Sequence, residues 1–334
     1  MIRVGVIGCG AIGRDHIRRM TEIVTETQVA AVSDIFAENG KKIAEQYHCV
    51  FYEQGEDLIR DPDVEAVVIC TADDTHARFV KACIEAGKYV LCEKPLGVSA
   101  EECMSIVEAE IKGGKRLVQV GFMRRYDRGY RQLKQMIKEG VIGEPLMIHA
   151  CHRNLNHNDW HTSDMTIKNS GIHEIDVLRW LLGEDYESGQ VLTVKQNSSA
   201  TEGLLDPQIM LLKTKAGTRI DVEVNMSSGY GYDIQCEVVG EKGVIRLPDP
   251  PEILMRTDGM RSYKICDDWS KRFIEAYDTE FAEWAQSVQN DCLTGPSSWD
   301  GYAACLTADT LIKARDQETI LPVHLPETPD FYHG

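Results

Sequence analysis

Three features are scarce or missing in this 334-residue sequence, and each absence excludes a class of protein. No apolar run approaches the roughly eighteen residues that a membrane-spanning helix requires. A strand-like apolar pattern begins at Ile2, which leaves no room for a signal peptide and predicts a cytoplasmic protein. Positive charge is also scarce, since the formal net charge is −17. This balance argues against a nucleic acid or an anionic membrane as the main partner.

The sequence contains no CxxC pair, although it has eleven cysteines. Most of them lie in apolar stretches typical of strands or helices, such as Cys70, Cys92 and Cys236. A disulfide framework requires an oxidising compartment, which nothing in the sequence suggests. We therefore expect the cysteines to be small buried hydrophobic side chains.

The pattern of histidines does not favour a metal site, although five of the ten lie between positions 149 and 173. His157 and His161 are four residues apart, as in some helical zinc sites, but the residues around them predict a loop. Cys151 is the one cysteine of that region. We predict no metal ligands.

A glycine-rich loop is the most informative motif that is present. After the apolar stretch 2–7 the chain reads GCGAIG, which places Gly8, Gly10 and Gly13 in a GxGxxG pattern before a helix-like segment. In dinucleotide-binding domains these glycines permit a turn, admit a pyrophosphate and allow close helix–strand packing, respectively. A second predicted strand ends at Asp34, where a carboxylate would bind the ribose hydroxyls of NAD. The sequence therefore predicts NAD as cofactor; the alternative is a tight loop without a ligand.

Residues 1–122 alternate strand and helix patterns. Ser99 and Glu102 form an SxxE capping box, which predicts the start of a helix that ends at Gly113-Gly114. The six predicted strands cover residues 2–7, 28–33, 49–52, 64–70, 89–92 and 116–120. Such alternation is typical of an α/β domain, here an NAD-binding domain with a doubly wound parallel sheet covered on both faces.

Residues 123–334 show a different spacing of apolar residues and are predicted to form a second domain. Apolar side chains alternate along 220–226 and 234–238, with tight turns at 216–217 and 241–243. Helices are predicted at 126–139, 172–182, 269–290 and 302–316. These patterns predict an α+β domain with a largely antiparallel sheet that buries one face.

Two further motifs carry chemistry. Glu93-Lys94-Pro95 follows the fifth predicted strand, at the sheet edge where α/β proteins bind ligands, so Lys94 could donate to a substrate hydroxyl. His173 and Asp176 would share one helix face with Trp180. From spacing alone, a core histidine on an amphipathic helix is the more common interpretation, with Asn169 or Gly171 as the helix cap.

Tyr130 and Lys134 match YxxxK, the catalytic pair of short-chain dehydrogenases. The glycine spacing of that class does not fit this chain. We interpret the pair as part of a solvated helix face.

The chain resembles the glucose–fructose oxidoreductase/inositol dehydrogenase (Gfo/Idh/MocA) family, nearly from end to end. The stretches that carry the resemblance are GCGAIGRDH, CEKPL, GFMRRYD, IGEPLMIHACHRN, IHEIDVLRWL, YGYDIQCEVVGEKGVIRLP and SSWDGY. The resemblance implies NAD-dependent oxidation of a secondary ring hydroxyl of myo-inositol to the ketone. It also implies an NAD-binding Rossmann domain over residues 1–122, followed by a substrate-binding domain whose open sheet builds a homotetramer. The alternatives are scyllo-inositol or a glucose-type sugar or glycoside as substrate, and a non-catalytic NAD-binding sensor.

The resemblance also implies residue roles. The lysine of EKP and the histidine before EID are the family's catalytic pair, so Lys94 would polarise the substrate oxygen and His173 would act as base. Asn169 joins them, at a position where the family often has aspartate. The implied substrate-binding residues are Lys94, Arg124, His152, Asn154, Asn169, His173 and Tyr232. The predicted cofactor-binding residues are Gly8, Cys9, Gly10, Ala11, Ile12, Gly13, Asp34, Thr71, Glu93 and Lys94.

Overall fold

The alternating apolar and amphipathic segments of residues 2–120 assemble into a six-stranded parallel sheet with helical connections. This computed structural model describes residues 1–248 and 253–333. The strands are β1 (Ile2–Ile7), β2 (Thr27–Ser33), β3 (Val50–Tyr52), β4 (Ala66–Ile69), β5 (Tyr89–Cys92) and β6 (Val118–Val120). The helices between them are α1 (Ala11–Glu22), α2 (Ala37–Tyr47), α3 (Gly55–Arg60), α4 (His76–Glu85) and α5 (Ala100–Gly113). The strand order is β3-β2-β1-β4-β5-β6, so the winding reverses between β1 and β4.

The central strands of this sheet are buried on both faces. Val4, Val6, Val68 and Leu91 have no exposed surface. This explains why the strands appear in the sequence as continuous apolar runs rather than alternating ones. The predicted doubly wound parallel sheet is confirmed.

The second half of the chain forms a seven-stranded sheet. Its strands are β7 (Pro145–Arg153), β8 (Tyr186–Thr193), β9 (Gln208–Thr214), β10 (Arg219–Asn225), β11 (Asp233–Gly240), β12 (Val244–Arg246) and β15 (Leu321–Pro322). They lie in the order β12-β11-β7-β10-β9-β8-β15. A hairpin of β13 (Met255–Thr257) and β14 (Met260–Ser262) stands apart. Ile220, Val222 and Val224 are buried, whereas the residues between them are not. The predicted open, largely antiparallel sheet is confirmed, although β7 and β10 pair in parallel.

The remaining helices are α6 (Arg128–Lys138), α7 (Ser163–Met165), α8 (Ile172–Leu182), α9 (Trp269–Arg272), α10 (Ile274–Gln289) and α11 (Ser298–Asp316). A π-helical turn, Thr166–Gly171, directly precedes α8. The helix predicted at 269–290 is interrupted at Phe273, the C-terminal cap residue of α9. Ser99 caps α5 by accepting from the Glu102 backbone N–H, while the Glu102 carboxylate accepts from Val98.

The chain divides into two compact units. The first contains Met1–Met123, Tyr277–Cys305 and Pro326–Gly334, and the second contains Arg124–Ala276 and Leu306–Leu325. The first unit therefore includes segments from the C-terminal part of the chain. The division into functional domains at residues 1–122 and 123–334 stays a prediction. Among the described residues, no helix is both long and apolar enough to cross a membrane.

The cysteines are free thiols, and eight of the eleven are buried, as the sequence predicts. Burial raises the pKa of the Cys83 thiol to about 12. Burial together with the nearby Asp34 carboxylate raises the pKa of Cys9 to about 12. These thiols therefore behave as small apolar side chains near neutral pH.

Candidate active site

Asp34 lies at the carboxyl edge of the parallel sheet, directly after β2, and is tied to the glycine loop. One of its carboxylate oxygens accepts from the Cys9 backbone N–H at 2.7 Å, and the other accepts from Phe36 N–H at 2.7 Å. The side-chain amide of Asn39 donates to Asp34 at 3.1 Å and to the Cys9 carbonyl at 3.0 Å. These contacts hold the carboxylate beside the loop.

The three glycines of the loop meet three different requirements. Gly8 has φ +96°, a conformation that favours glycine, and a Cβ there would lie 2.4 Å from the Cys70 carbonyl oxygen. A Cβ at Gly13 would lie 1.9 Å from the Gly8 carbonyl oxygen, so α1 packs closely on the loop. At Gly10, by contrast, a Cβ would meet no atom of the described residues within 4 Å. The space beside Gly10 is the space that a ligand needs.

The first turn of α1 offers that ligand hydrogen-bond donors. The N-cap residue, Gly10, has no side chain with which to cap this helix, and no acidic residue lies in the first turn. Ala11 and Ile12 begin the helix, whose N–H groups and dipole favour an anion. The residues present therefore fit the pyrophosphate of NAD.

The Glu93-Lys94 motif also lies at this edge, after β5, and Thr71 follows β4 beside it. The Glu93 backbone N–H donates to the Ile69 carbonyl at 2.9 Å, and Lys94 N–H lies 3.3 Å from the Glu93 carboxylate. Thr71 Oγ1 accepts from Thr75 at 2.6 Å. Lys94 itself is half-buried.

A buried polar network supports Glu93, and the sequence patterns do not predict it. Arg19 Nη1 lies 2.8 Å from His16 Nδ1, and His16 Nε2 lies 2.7 Å from the Glu93 carboxylate. Arginine can only donate, so the His16 proton lies on Nε2 and is donated to Glu93. Burial raises the pKa of Glu93, but the His16 hydrogen bond and the neighbouring charges lower it below its ordinary value. Glu93 is therefore a carboxylate at the cofactor edge.

In the second unit, four of the predicted substrate-binding residues form one buried cluster. The His152 ring, on β7, lies 6.3 Å from the His173 ring and 5.7 Å edge-on from the Tyr232 ring, measured between centroids. Arg124 Nη2 approaches His152 Nδ1 to 3.1 Å, and its guanidinium lies 5.5 Å from the Phe273 ring. We name Arg124, His152, His173 and Tyr232 the polyol cluster.

Glu174 contacts two members of this cluster but is not among the predicted residues. It follows His173 on α8, is fully buried, and forms an ion pair with Arg124 and a 2.9 Å contact with His152 Nδ1. The signal in the sequence is HEID: an acidic residue directly beside the proposed base, on a helix whose other residues are mostly apolar.

The two predicted asparagines lie in different local structures. Asn154 follows β7, and its Nδ2 contacts Sδ of Met226, the residue after β10, at 3.3 Å. Asn169 lies in the π-helical turn before α8, where positions four apart are not related as they are in an α-helix. The cap residue of α8 is Gly171. The roles of both asparagines stay predictions.

One interpretation of a helix face requires correction. Tyr130 is completely buried, so the YxxxK segment is not a solvated face; the Lys134 ammonium instead lies 4.3 Å from the Trp180 ring centroid. Asp176, which the sequence places on the helix face of His173, pairs with Arg125 at 2.9 and 2.5 Å.

The histidines after β7 are engaged with hydroxyl groups. His157 Nδ1 lies 2.8 Å from Ser227 Oγ, and His161 Nε2 lies 3.1 Å from Thr166 Oγ1. Within residues 1–248 and 253–333, no group of three or more metal-ligating side chains is arranged around a common point. Lys94 lies in the first unit and the polyol cluster in the second, so the pairing of Lys94 with His173 stays a prediction.

Comparisons with known proteins find matches to both the N-terminal and the C-terminal region of the chain. Residues 2–122 match an oxidoreductase family described by its NAD-binding Rossmann fold, and residues 134–325 match the C-terminal alpha/beta domain of the same Gfo/Idh/MocA family. The chain is 49% identical to an inositol 2-dehydrogenase of Burkholderia cenocepacia (strain HI2424), covering 100% of this chain and 99% of that one. It is 51% identical to an inositol 2-dehydrogenase of Serratia proteamaculans (strain 568), covering 99% of both. It resembles the crystal structure of myo-inositol dehydrogenase from Lactobacillus casei in complex with NAD(H) and myo-inositol, with a TM-score of 0.97, 37% identity and 99% of each chain covered.

Proposed function

This chain belongs to the Gfo/Idh/MocA oxidoreductase family, and from that premise we propose that it oxidises a secondary ring hydroxyl of myo-inositol to the ketone with NAD. One observation carries the proposal: Arg124, His152, His173 and Tyr232 meet in a single buried cluster. A polyol needs several convergent donors and acceptors, and these side chains supply them. The relatives named for inositol support the choice of ring.

In the proposed reaction His173 takes the proton of the substrate hydroxyl as general base, and Lys94 orients and polarises that oxygen. Such general-base assistance typically contributes a factor of about 10² to 10⁴ in rate. Asp34 would hold the ribose of NAD, and the N-terminus of α1 its pyrophosphate. When bound, NAD supplies the hydride acceptor.

The test is a substrate screen with purified protein and NAD. Production of reduced nicotinamide is followed with myo-inositol, scyllo-inositol, glucose and a simple glycoside, and myo-inositol should give the highest kcat/KM. His173→Ala and Lys94→Met should abolish turnover but leave the Kd for NAD, measured by calorimetry, within a few-fold. His149→Ala is the matched control, because His149 is an exposed residue of the same β7 strand that carries His152.

If scyllo-inositol or a sugar is preferred, the assignment of myo-inositol is wrong. If NAD binds but no polyol is oxidised, the non-catalytic sensor is the correct alternative. The homotetramer and the cytoplasmic location also stay predictions. Light scattering of the purified protein tests the tetramer.

A further inference from the structure

The contacts of Glu174 carry an inference beyond the proposed reaction. One carboxylate oxygen pairs with Arg124 Nη1, and the other lies 2.9 Å from His152 Nδ1. These three side chains are almost completely buried. Glu174 thus contacts two of the proposed substrate-binding residues.

His152 Nδ1 faces two groups that require opposite protonation states. The Glu174 carboxylate can only accept a hydrogen bond, whereas Arg124, whose Nη2 lies 3.1 Å away, can only donate one. The contact with Glu174 is the shorter, and a lone pair on Nδ1 would be repelled by the carboxylate. Arg124 has other acceptors, namely Glu174 itself and the Tyr232 hydroxyl. The proton therefore lies on Nδ1, and Nε2 is left with its lone pair.

Glu174 also compensates the buried positive charge of Arg124. Burial raises the pKa of Glu174, but Arg124 and His152 lower it below its ordinary value, so the carboxylate is ionised. Arg124 would otherwise be an unpaired buried cation, and such a group attracts anions strongly in a medium of low polarity.

We propose that Glu174 is a positioning residue that determines specificity: it holds His152 as the Nδ1–H tautomer and neutralises Arg124. This proposal rests on the proposed function, because it assumes that the polyol cluster faces the substrate. His152 Nε2 would then accept a hydrogen bond from a substrate hydroxyl. The pairing of Arg124 leaves little attraction for an acidic sugar, so the site would select neutral rings.

The first test is the protonation of His152 in the unsubstituted protein with NAD. Nitrogen NMR of protein labelled with ¹⁵N-histidine identifies the protonated ring nitrogen, and the signal that His152→Gln removes is that of His152. We expect the proton on Nδ1 alone. A proton on Nε2, or on both nitrogens, would overturn the proposal without any need for a Glu174 variant.

Glu174→Gln gives the second readout. Its single side-chain oxygen would stay with the arginine, because a hydrogen bond to a charged donor is the stronger one, and its amide N–H would then face Nδ1. The His152 proton is therefore expected to move to Nε2. A purely structural role of Glu174 would not reverse the tautomer.

The third readout is selectivity against charge, measured by calorimetry with D-glucuronate and its neutral counterpart D-glucose at fixed ionic strength. In Glu174→Gln the affinity for glucuronate relative to glucose should rise about tenfold or more. The double variant Arg124→Gln/Glu174→Gln should return the ratio to that of the unsubstituted protein. Asp176→Asn is the matched control, since it removes another buried carboxylate of α8 that pairs with a different arginine, Arg125.

These experiments distinguish a failure of this proposal from a failure of the proposed function. If Glu174→Gln does not fold, the double variant is compared with Arg124→Gln alone, in which the unpaired Glu174 should weaken glucuronate binding further. An unchanged glucuronate-to-glucose ratio in both comparisons would overturn the proposal. These measurements need no turnover, so a protein that failed to oxidise inositol would still report on Glu174.

Discussion

Replacing Asp34 by asparagine is expected to reduce the preference for NAD over NADP by at least about 60-fold. The substitution keeps the shape of the side chain and one acceptor oxygen for the loop. Three groups donate hydrogen bonds to the Asp34 carboxylate: the N–H groups of Cys9 and Phe36 and the side-chain amide of Asn39. The change removes the charge and the hydrogen bond from Phe36 N–H, while the remaining oxygen can still accept from Cys9 N–H and the Asn39 amide.

The magnitude follows from two effects. Hydrogen bonds to a charged acceptor contribute about 1.5–3 kcal/mol and neutral ones about 0.5–1.5, so binding of the NAD ribose should weaken by about 1 kcal/mol or more. Asp34 would also repel the 2′-phosphate of NADP. Two unit charges about 4 Å apart repel by about 1 kcal/mol in water, and the phosphate carries nearly two charges, so this part is about 1.5 kcal/mol. The sum, about 2.5 kcal/mol, corresponds to about 60-fold.

The assay is steady-state kcat/KM for each cofactor at a saturating concentration of the best polyol. Asn39→Ala is the control, because it removes a contact to the Cys9 carbonyl and to Asp34 but no charge. In that variant the two cofactors should lose efficiency together. A folded Asp34→Asn enzyme with an unchanged NAD-to-NADP ratio would refute the assignment of Asp34 to the ribose.

Three further predictions concern other parts of the two units. Asn169→Asp should move the acidic limb of the kcat/KM profile for polyol oxidation to higher pH, because a carboxylate beside His173 favours the protonated form of its ring. The ranking of substrates should change as well. An unmoved pH profile would show that residue 169 and His173 do not interact. Glu93 has a pKa lowered below 4.5, so its contribution to the free energy of unfolding is present above that pH and is lost as the pH falls below it. Urea denaturation should show that Glu93→Gln costs about 1.5–3 kcal/mol at neutral pH, because the hydrogen bond from His16 loses its charged acceptor, and that it flattens this acid dependence. An equal acid dependence in both proteins would contradict the prediction. Iodoacetamide should label the exposed Cys292 well before Cys9, whose pKa is raised to about 12, and mass spectrometry of the peptides checks the order.

The sequence by itself determined the local elements and the cofactor loop. Strand β5 at Tyr89–Cys92 and helix α8 at Ile172–Leu182 have the predicted bounds, because buried parallel strands are continuous apolar runs and Gly183 in the left-handed conformation ends the helix. The three glycines of the loop were also predictable. Their spacing reports backbone requirements of a few consecutive residues, and such requirements are local.

Only the tertiary structure determines which buried polar groups contact one another. Glu93 contacts His16, 77 positions away, and Glu174 contacts Arg124, 50 positions away. Neither pair leaves a periodic signal, because an isolated charged residue in a sequence looks the same whether it is solvated or paired. Tyr130 shows the converse error, since its charged helix suggested solvent while the packed fold buries it. Periodicity indicates that one face of an element is covered, but the partner that covers it is chosen by long-range packing, and that choice creates the charged and hydrogen-bonded sites of this protein.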